Sequence, residues 1–213
     1  LTSLILDSKS MFVFLLIPTT SASKETPEQI IHSHDYITDV SQEGILDSLK
    51  KAMLENDIKT FKKFLPNITN INSLIDNNNN TLFIHAVTSG YDVFVDLLIQ
   101  AGADVEQADK NGFTPLYIAM YKSHLETFKT LIEGKADLEK KPRKETPLLH
   151  RAILDNKLEF LRVLFKEDVN PDSTDSNNIS ALITAIHFKS TAAIQALIEA
   201  GADLDKKSND VSP

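Results

Sequence analysis

The sequence predicts an all-α repeat solenoid, in which about five helix pairs follow one another along the chain at a fixed interval. Apolar residues recur nine, twelve and thirteen positions after each of four alanines, which is the spacing of one buried helix face. Each unit ends with a similar sequence segment, such as GADVEQAD at 102–109 and GADLDKK at 201–207. Several independent columns that share one period indicate a repeat array. The four alanines, 33 residues apart, are Ala86, Ala119, Ala152 and Ala185.

The units begin with a helix start signal. In NGFTPLYIAM, residues 111–120, Thr114 is a suitable N-cap, and Pro115 suits the first helical position because its missing N–H would have no partner there. The small alanine behind it allows the next unit to approach closely, and neighbours must stack because no unit can bury its apolar face alone. The residue four positions after the alanine lies between the two helices and is predicted to be left-handed. At this position stand Gly90, Ser123, Asn156 and Lys189.

These columns resemble the ankyrin repeat, and the resemblance covers about three quarters of the chain. It implies stacked helix-turn-helix units, each followed by a β-hairpin finger. A degraded first unit is included because NDIKTFKKFL, residues 56–65, matches NKLEFLRVLF, residues 156–165. The predicted ankyrin repeat domain therefore spans residues 43–208, with units one to five at 43–76, 77–109, 110–142, 143–175 and 176–208.

Aspartates open three of the predicted fingers, and a glycine or asparagine three residues later supports the positive φ of a tight turn. Unit four departs from this pattern, because Pro142 replaces the aspartate and Glu145 replaces the turn residue. We therefore expect an irregular finger there. The aspartates are Asp76, Asp109 and Asp175, and the turn residues are Asn79, Gly112 and Asn178.

The segments outside the array carry predictions of their own. The apolar run Met11–Ile17 is typical of a signal peptide, although only one lysine precedes it, and a disordered leader over 1–23 is the alternative. A polar linker is predicted over 24–42, and residues 209–213 form the truncated start of a further repeat or a tail. Ala193, Ile194 and Leu197 show none of the polar replacement that a terminal cap needs. We therefore expect that the array continues and that unit five is the least stable; the alternative is that unit five caps itself.

Composition excludes several classes of function. The chain has no cysteine, which removes disulfide scaffolds, thiolate zinc sites and cysteine nucleophiles. Its net charge of −8 argues against broad nucleic-acid binding. The stretch HSHD at 32–35 has the look of a metal site, but no third ligand is evident, and neither a metal, a cofactor nor a catalytic residue is predicted. The predicted location depends on the leader. The protein is secreted or exported if residues 1–23 are a signal peptide, and cytoplasmic otherwise.

The resemblance implies that another protein binds to the finger tips and to the first helices. Aromatic and apolar side chains at positions that the framework does not require are candidate hot spots, although these rings could instead cover the finger bases. The basic cluster Lys140–Lys144 is either a targeting or acidic-partner contact or a solvated tip. His150 stands at the family's histidine position and is expected to bond near its own helix start. The protein-binding candidates are Asn77, Asn78, Thr88, Lys110, Asn111, Phe113, Tyr121, Lys122, Arg143, Lys144, Leu154, Asp155, Ser176, Asn177, His187 and Phe188.

Taken with the resemblance, these observations predict a non-enzymatic, monomeric protein–protein interaction module, without a nucleic-acid partner or a membrane span. The alternative is a targeting or regulatory fragment of a larger multidomain protein, or a decayed coding sequence. The partner stays open at this point, because a repeat architecture determines the shape of a surface and leaves its ligand undetermined.

Overall fold

The computed structural model of the chain describes residues 41–76, 80–140 and 146–206. All of them belong to one compact body, Asp39–Pro213. The predicted leader over 1–23, the linker up to residue 40, the HSHD stretch and the tail at 209–213 lie outside the described residues. Within the described ranges, no helix has both the length and the apolar character needed to cross a bilayer.

The described residues form five helix pairs, one in each predicted repeat. The first helices are α1 (Gln42–Leu54), α3 (Leu82–Ser89), α5 (Pro115–Tyr121), α7 (Leu148–Leu154) and α9 (Ala181–His187). The second helices are α2 (Ile58–Phe64), α4 (Asp92–Gln100), α6 (Leu125–Glu133), α8 (Leu158–Lys166) and α10 (Thr191–Glu199). A 3₁₀ turn, Leu65–Asn67, follows α2.

Four of the five first helices begin at a hydroxyl cap: Ser41 caps α1, and the other three caps follow the predicted start signal. The hydroxyls of Thr81, Thr114 and Ser180 accept the backbone N–H three residues ahead, at 3.1, 3.3 and 3.3 Å. In unit four the cap position holds Pro147, which makes no side-chain cap bond, because its Thr-Pro pair stands one residue early. An unfavourable N-cap costs a helix about 1 kcal/mol. Unit four therefore begins its first helix less favourably than its neighbours.

The residue between the two helices is left-handed, as predicted. The φ angles are +73° at Gly90, +64° at Ser123, +53° at Asn156 and +55° at Lys189. The same conformation occurs at Asn56 in unit one, with a φ of +53°. Each such residue reverses the chain so that the second helix can return along the first.

The alanine column lies inside the stack of repeats. Ala86, Ala119, Ala152 and Ala185 are all 0% exposed. First helices pack on neighbouring first helices, as α3 does on α5 and α7 does on α9. Second helices stack in the same way, in the order α4, α6, α8 and α10. One hydrophobic core therefore runs through the described repeats, which confirms the predicted solenoid.

The fingers differ from the β-hairpins that the resemblance implies, because no extended strand occurs among the described residues. Isolated antiparallel bridges join Leu74 to Thr81 and Thr174 to Ser180. In units three and five a single aspartate closes the finger. The Asp109 carboxylate accepts the backbone N–H groups of Asn111 and Phe113, both at 2.9 Å, and Asp175 does the same in unit five.

The turn residues of the fingers behave as predicted where they are described, with a φ of +85° at Gly112 and +59° at Asn178. Asn79 and the finger of unit four at 141–145 lie outside the described residues, so the predicted irregularity there stays a prediction.

The ring of His150 is fully buried, and its described partners lie at the end of unit four and in unit five. Nε2 donates to the Ser173 carbonyl oxygen at 3.1 Å, and Nδ1 lies 3.2 Å from Oγ1 of Thr184 on α9. The histidine therefore ties unit four to unit five.

The prediction for the end of the array named the wrong residues. Ala193 and Leu197 are fully buried and Ile194 is half-buried, since α10 turns this face toward α8 and α9. Other residues of unit five carry its exposed apolar surface, namely Ile186, Phe188, Ile198 and Leu204.

Candidate functional site

An open groove of about 490 Å³ lies along the fingers and first helices of units two and three. We call it the finger groove. Its floor contains buried residues of α3 and α5, and Arg151 reaches it from α7. Six of the predicted binding residues line it together. The lining residues are Asn80, Ile84, Thr88, Asp109, Lys110, Asn111, Phe113, Tyr117, Ile118, Tyr121, Lys122 and Arg151.

The finger of unit three holds one wall of the groove in place. Besides the two backbone N–H groups that Oδ1 of Asp109 accepts, its Oδ2 accepts the side-chain amide of Asn111 at 3.2 Å. The ring of Phe113 stacks on the ring of Tyr117, with centroids 5.1 Å apart and an interplanar angle of 8°. Phe113 is half-buried, so it has a packing role at the base of its finger.

Tyr121 offers the exposed aromatic surface of the groove. It is 57% exposed, while the preceding residue on α5, Met120, is fully buried. Nζ of Lys122 lies 5.9 Å from the centroid of its ring. Nζ of Lys157 holds the backbone beneath it, because it donates to the Tyr121 carbonyl oxygen at 2.9 Å and also to the Met120 carbonyl oxygen. Tyr121 thus has an exposed ring on a backbone that is fixed from the next repeat.

The charges of the groove differ in sign from the chain as a whole. Lys110, Lys122 and Arg151 are basic, whereas the protein carries a net charge of −8. One carboxylate, Asp109, stands with these three basic groups among the lining residues, and Arg151 is itself paired with Asp155. The Asp109 carboxylate closes the finger, and Asp155 accepts Nε of Arg151 at 2.9 Å. The rim therefore favours anionic groups.

The pKa of one lysine next to the groove is also affected. Burial lowers the pKa of Lys157, and the charge of Arg151 acts in the same direction while that of Asp155 opposes it.

The remaining predicted residues are dispersed. Leu154 and Asp155 are half-buried at the end of α7, and Ser176 and Asn177 are exposed on the finger of unit five. His187 and Phe188 are exposed beside each other at the end of α9, with ring centroids 5.3 Å apart. Asn77, Asn78, Arg143 and Lys144 lie outside the described residues. Of the basic cluster, Lys140 is described, and its Nζ lies 3.0 Å from Oε2 of Glu106.

Sequence reasoning missed Arg151 as a groove residue. Arg151 stands four residues before Asp155 on a first helix, and this spacing favours an ion pair on the helix surface. That signal marks an exposed stripe of α7, but it does not reveal that the stripe borders the groove of the two preceding units.

Comparison with known proteins agrees with this architecture. The family model described as ankyrin repeats (3 copies) matches residues 49–142 and 135–210. The chain therefore belongs to the ankyrin repeat family. The crystal structure of the ankyrin repeat domain of Bcl-3 superimposes with a TM-score of 0.69 at 22% identity, covering 78% of this chain and 76% of that one. This likeness shows the fold.

Curated relatives are much longer proteins. The potassium channel AKT2/3 of Arabidopsis thaliana is 28% identical over 162 residues, covering 76% of this chain and 18% of the channel. The tyrosine-protein kinase HTK16 of Hydra vulgaris is 31% identical over 145 residues, covering 63% of this chain and 18% of the kinase. The chain thus spans about a fifth of the length of these relatives, and the shared part is the ankyrin array. Ankyrin repeats are non-enzymatic modules that generally mediate protein–protein interaction.

Proposed function

We propose that this chain is a non-enzymatic interaction module that binds another protein in the finger groove of units two and three. The observation that carries the proposal is the convergence of Thr88, Lys110, Asn111, Phe113, Tyr121 and Lys122 on one groove. An ankyrin array supports this role, because ankyrin repeats generally mediate protein–protein interaction.

The groove is preorganised for binding. Asp109 closes one wall through backbone hydrogen bonds, and Thr114 caps the helix that carries Tyr121. A partner that docks on such a surface needs to order few protein groups, so little of its contact energy is lost as conformational entropy. An exposed tyrosine on a fixed backbone is typical of residues that dominate interface energies.

Charge indicates the chemistry of the partner. Lys110, Lys122 and Arg151 line the groove with a single carboxylate, Asp109, so its lining is positively charged although Arg151 is also paired with Asp155. A segment that places an apolar side chain against Tyr121 and carboxylates beside these cations complements the groove in both shape and charge. We therefore propose an acidic partner segment with an apolar residue at its centre.

Affinity capture with matched variants tests the proposal. We expect Tyr121→Ala and Lys122→Glu to weaken the captured complex about tenfold or more. Leu54→Ala and Lys62→Glu are the matched controls, because they remove an exposed apolar and an exposed basic side chain away from the groove. If all four variants retain the partner equally, the groove is not the binding site.

Phe113→Ala separates packing from binding at the finger base. Because its ring stacks on Tyr117, we expect this variant to lower the melting temperature, whereas Tyr121→Ala should leave the melting temperature unchanged and affect binding alone. Loss of stability in Tyr121→Ala would instead favour a structural role for both rings.

A second candidate is that the array is the targeting or regulatory part of a larger multidomain protein. The lengths of the relatives favour it, since the matched part is 18% of both the channel and the kinase. A coding sequence that continues before Leu1 or past Pro213 into a domain of another fold would support this function, and one that encodes no further domain on either side would exclude it.

A further inference from the structure

The outer face of unit five exposes apolar side chains whose equivalents are more deeply buried in the other units. The residue after the column alanine shows this directly. Val87, Met120 and Ile153 are 0%, 0% and 1% exposed, whereas Ile186, one repeat later, is 55% exposed. The side chain is apolar in all four units. The difference in exposure therefore comes from the helices that pack over this position in the earlier units.

Two further columns repeat the observation. Ile198 on α10 is 49% exposed, while its equivalent Ile132 is 9% exposed and its equivalents Ile99 and Phe165 are half-buried. Leu204, in the loop after α10, is 64% exposed, while its equivalents Val105 and Leu138 pack against the core. The element that covers these positions in earlier units is the helix pair of the following repeat, as α6 stacks on α4 and α9 on α7. The exposed face is therefore one more copy of an interface that the molecule already makes.

A polar residue that follows the second helix gives separate evidence that unit five has room for a following unit. In several units its side chain accepts a backbone N–H of the next unit. Oδ1 of Asn72 accepts the backbone N–H of Asp104 in the next unit at 2.8 Å. Oε1 of Glu106 accepts the backbone N–H of Asp137 at 2.7 Å.

This column of polar residues is interrupted in unit three, where Glu139 accepts no backbone N–H of unit four among the described residues. It resumes in unit four, where Oδ1 of Asp172 accepts the backbone N–H of Asp203 at 2.8 Å. In unit five this position holds Asp205, whose carboxylate accepts no hydrogen bond from any of the described residues. Its chemistry suits the backbone N–H of a following unit.

The opposite end of the array is built differently. The exposed side of α1 is largely polar and includes Lys51 and Glu55, which lie 3.9 Å apart as an ion pair. A polar outer face is what a terminal repeat needs for solubility. Unit one therefore has the surface of a cap and unit five does not. Head-to-tail stacking of two copies would place the apolar face of unit five against this polar surface, which disfavours a second copy as the partner.

We propose that the outer face of unit five packs against one more ankyrin-type helix pair, which continues this array in the same polypeptide. Such a pair would cover Ile186, Ile198 and Leu204 with apolar side chains and present a backbone N–H to Asp205. The proposal is independent of the finger groove, which involves other repeats.

The test uses the natural coding sequence beyond Pro213 and the protein that it encodes. We expect a small residue 33 positions after Ala185 and apolar residues nine and twelve positions later, in the periodicity of the preceding repeats. In the longer protein, amide hydrogen exchange in α9 and α10 should slow about tenfold or more relative to the 213-residue chain. Ile186→Glu should abolish this slowing, and Leu54→Glu, a change of a 69% exposed leucine in unit one, should not.

Three results would overturn the proposal. The first is a coding sequence that ends at Pro213 or continues without these columns. The second is a longer protein in which exchange in α9 and α10 is unchanged. The third is a concentration-dependent dimer of the 213-residue chain, seen by analytical ultracentrifugation and abolished by Ile186→Glu, which would assign the face to a second copy.

Discussion

The turn after α3 provides a quantitative test of how neighbouring repeats depend on each other. Gly90 has a φ of +73°, and a Cβ built on it would lie 2.6 Å from Nδ1 of His124 in unit three. An alanine in the left-handed region costs about 1–2 kcal/mol. The clash also displaces the His124 ring, whose Nε2 donates to the Thr88 carbonyl oxygen at 3.1 Å, and this hydrogen bond contributes about 1 kcal/mol. Alanine also has fewer conformations than glycine in the unfolded chain, and this offsets about 0.5 kcal/mol of the loss of stability. We expect Gly90→Ala to lose about 2 kcal/mol.

Gly102→Ala is the matched control for this variant. Gly102 also has a positive φ, of +88°, but a Cβ there meets nothing within 4 Å. The Gly102→Ala variant should therefore lose only the free energy of backbone strain, about 1 kcal/mol. Urea denaturation followed by circular dichroism measures both losses. For a chain of this size, 1 kcal/mol corresponds to a shift of about 3 °C in melting temperature.

Equal losses in Gly90→Ala and Gly102→Ala would refute the argument, because the contact with His124 would then contribute nothing. A double-mutant cycle sharpens the test. In a His124→Ala background the clash and the hydrogen bond are both absent, so Gly90→Ala should cost about as much as Gly102→Ala.

Three further perturbations probe the core, the finger and the response to pH. Ala119→Leu should lose about 1–3 kcal/mol in urea denaturation, because the alanine is 0% exposed between repeats and a larger side chain overpacks them. Asp109→Ala should lose about 1 kcal/mol and weaken partner capture, because the finger loses the acceptor for its backbone N–H groups. Burial lowers the pKa of His85, so the unfolded chain takes up its proton at a higher pH than the folded chain does. Melting temperature should therefore fall as the pH drops below about 6.5, and His85→Gln should reduce that fall.

The parts of the fold that could be predicted from sequence depend on local signals repeated at one period. The caps at Thr114 and Ser180 and the left-handed turn at Asn156 follow from the residue types themselves. The burial of the four alanines could be predicted from the period, because small residues that recur once per repeat are expected where neighbouring repeats pack closely. Even Lys189, an unfavourable residue for a left-handed turn, adopts it because its repeat position requires it.

What could not be predicted depends on the rotation of one repeat against the next. His150 lies at a position where its own helix start is the nearest polar partner in sequence, yet stacking brings Thr184 within 3.2 Å. Arg151 reaches a groove that belongs to earlier repeats for the same reason. Helix periodicity identifies Ala193, Ile194 and Leu197 as an apolar side of α10, but it does not reveal which neighbour this side faces. Among the described residues the fingers lack strands, because the few backbone hydrogen bonds to Asp109 or Asp175 complete the turn.

The lysine that joins units three and four has a consequence for mutations far from any partner. The Lys157 side chain belongs to unit four, but its ammonium group holds the end of α5, directly beneath Tyr121. A change that loosens unit four would release this hydrogen bond and make the position of the tyrosine less defined, although Lys157 does not line the finger groove. Mutations that impair recognition are therefore expected one repeat away from the surface that performs it.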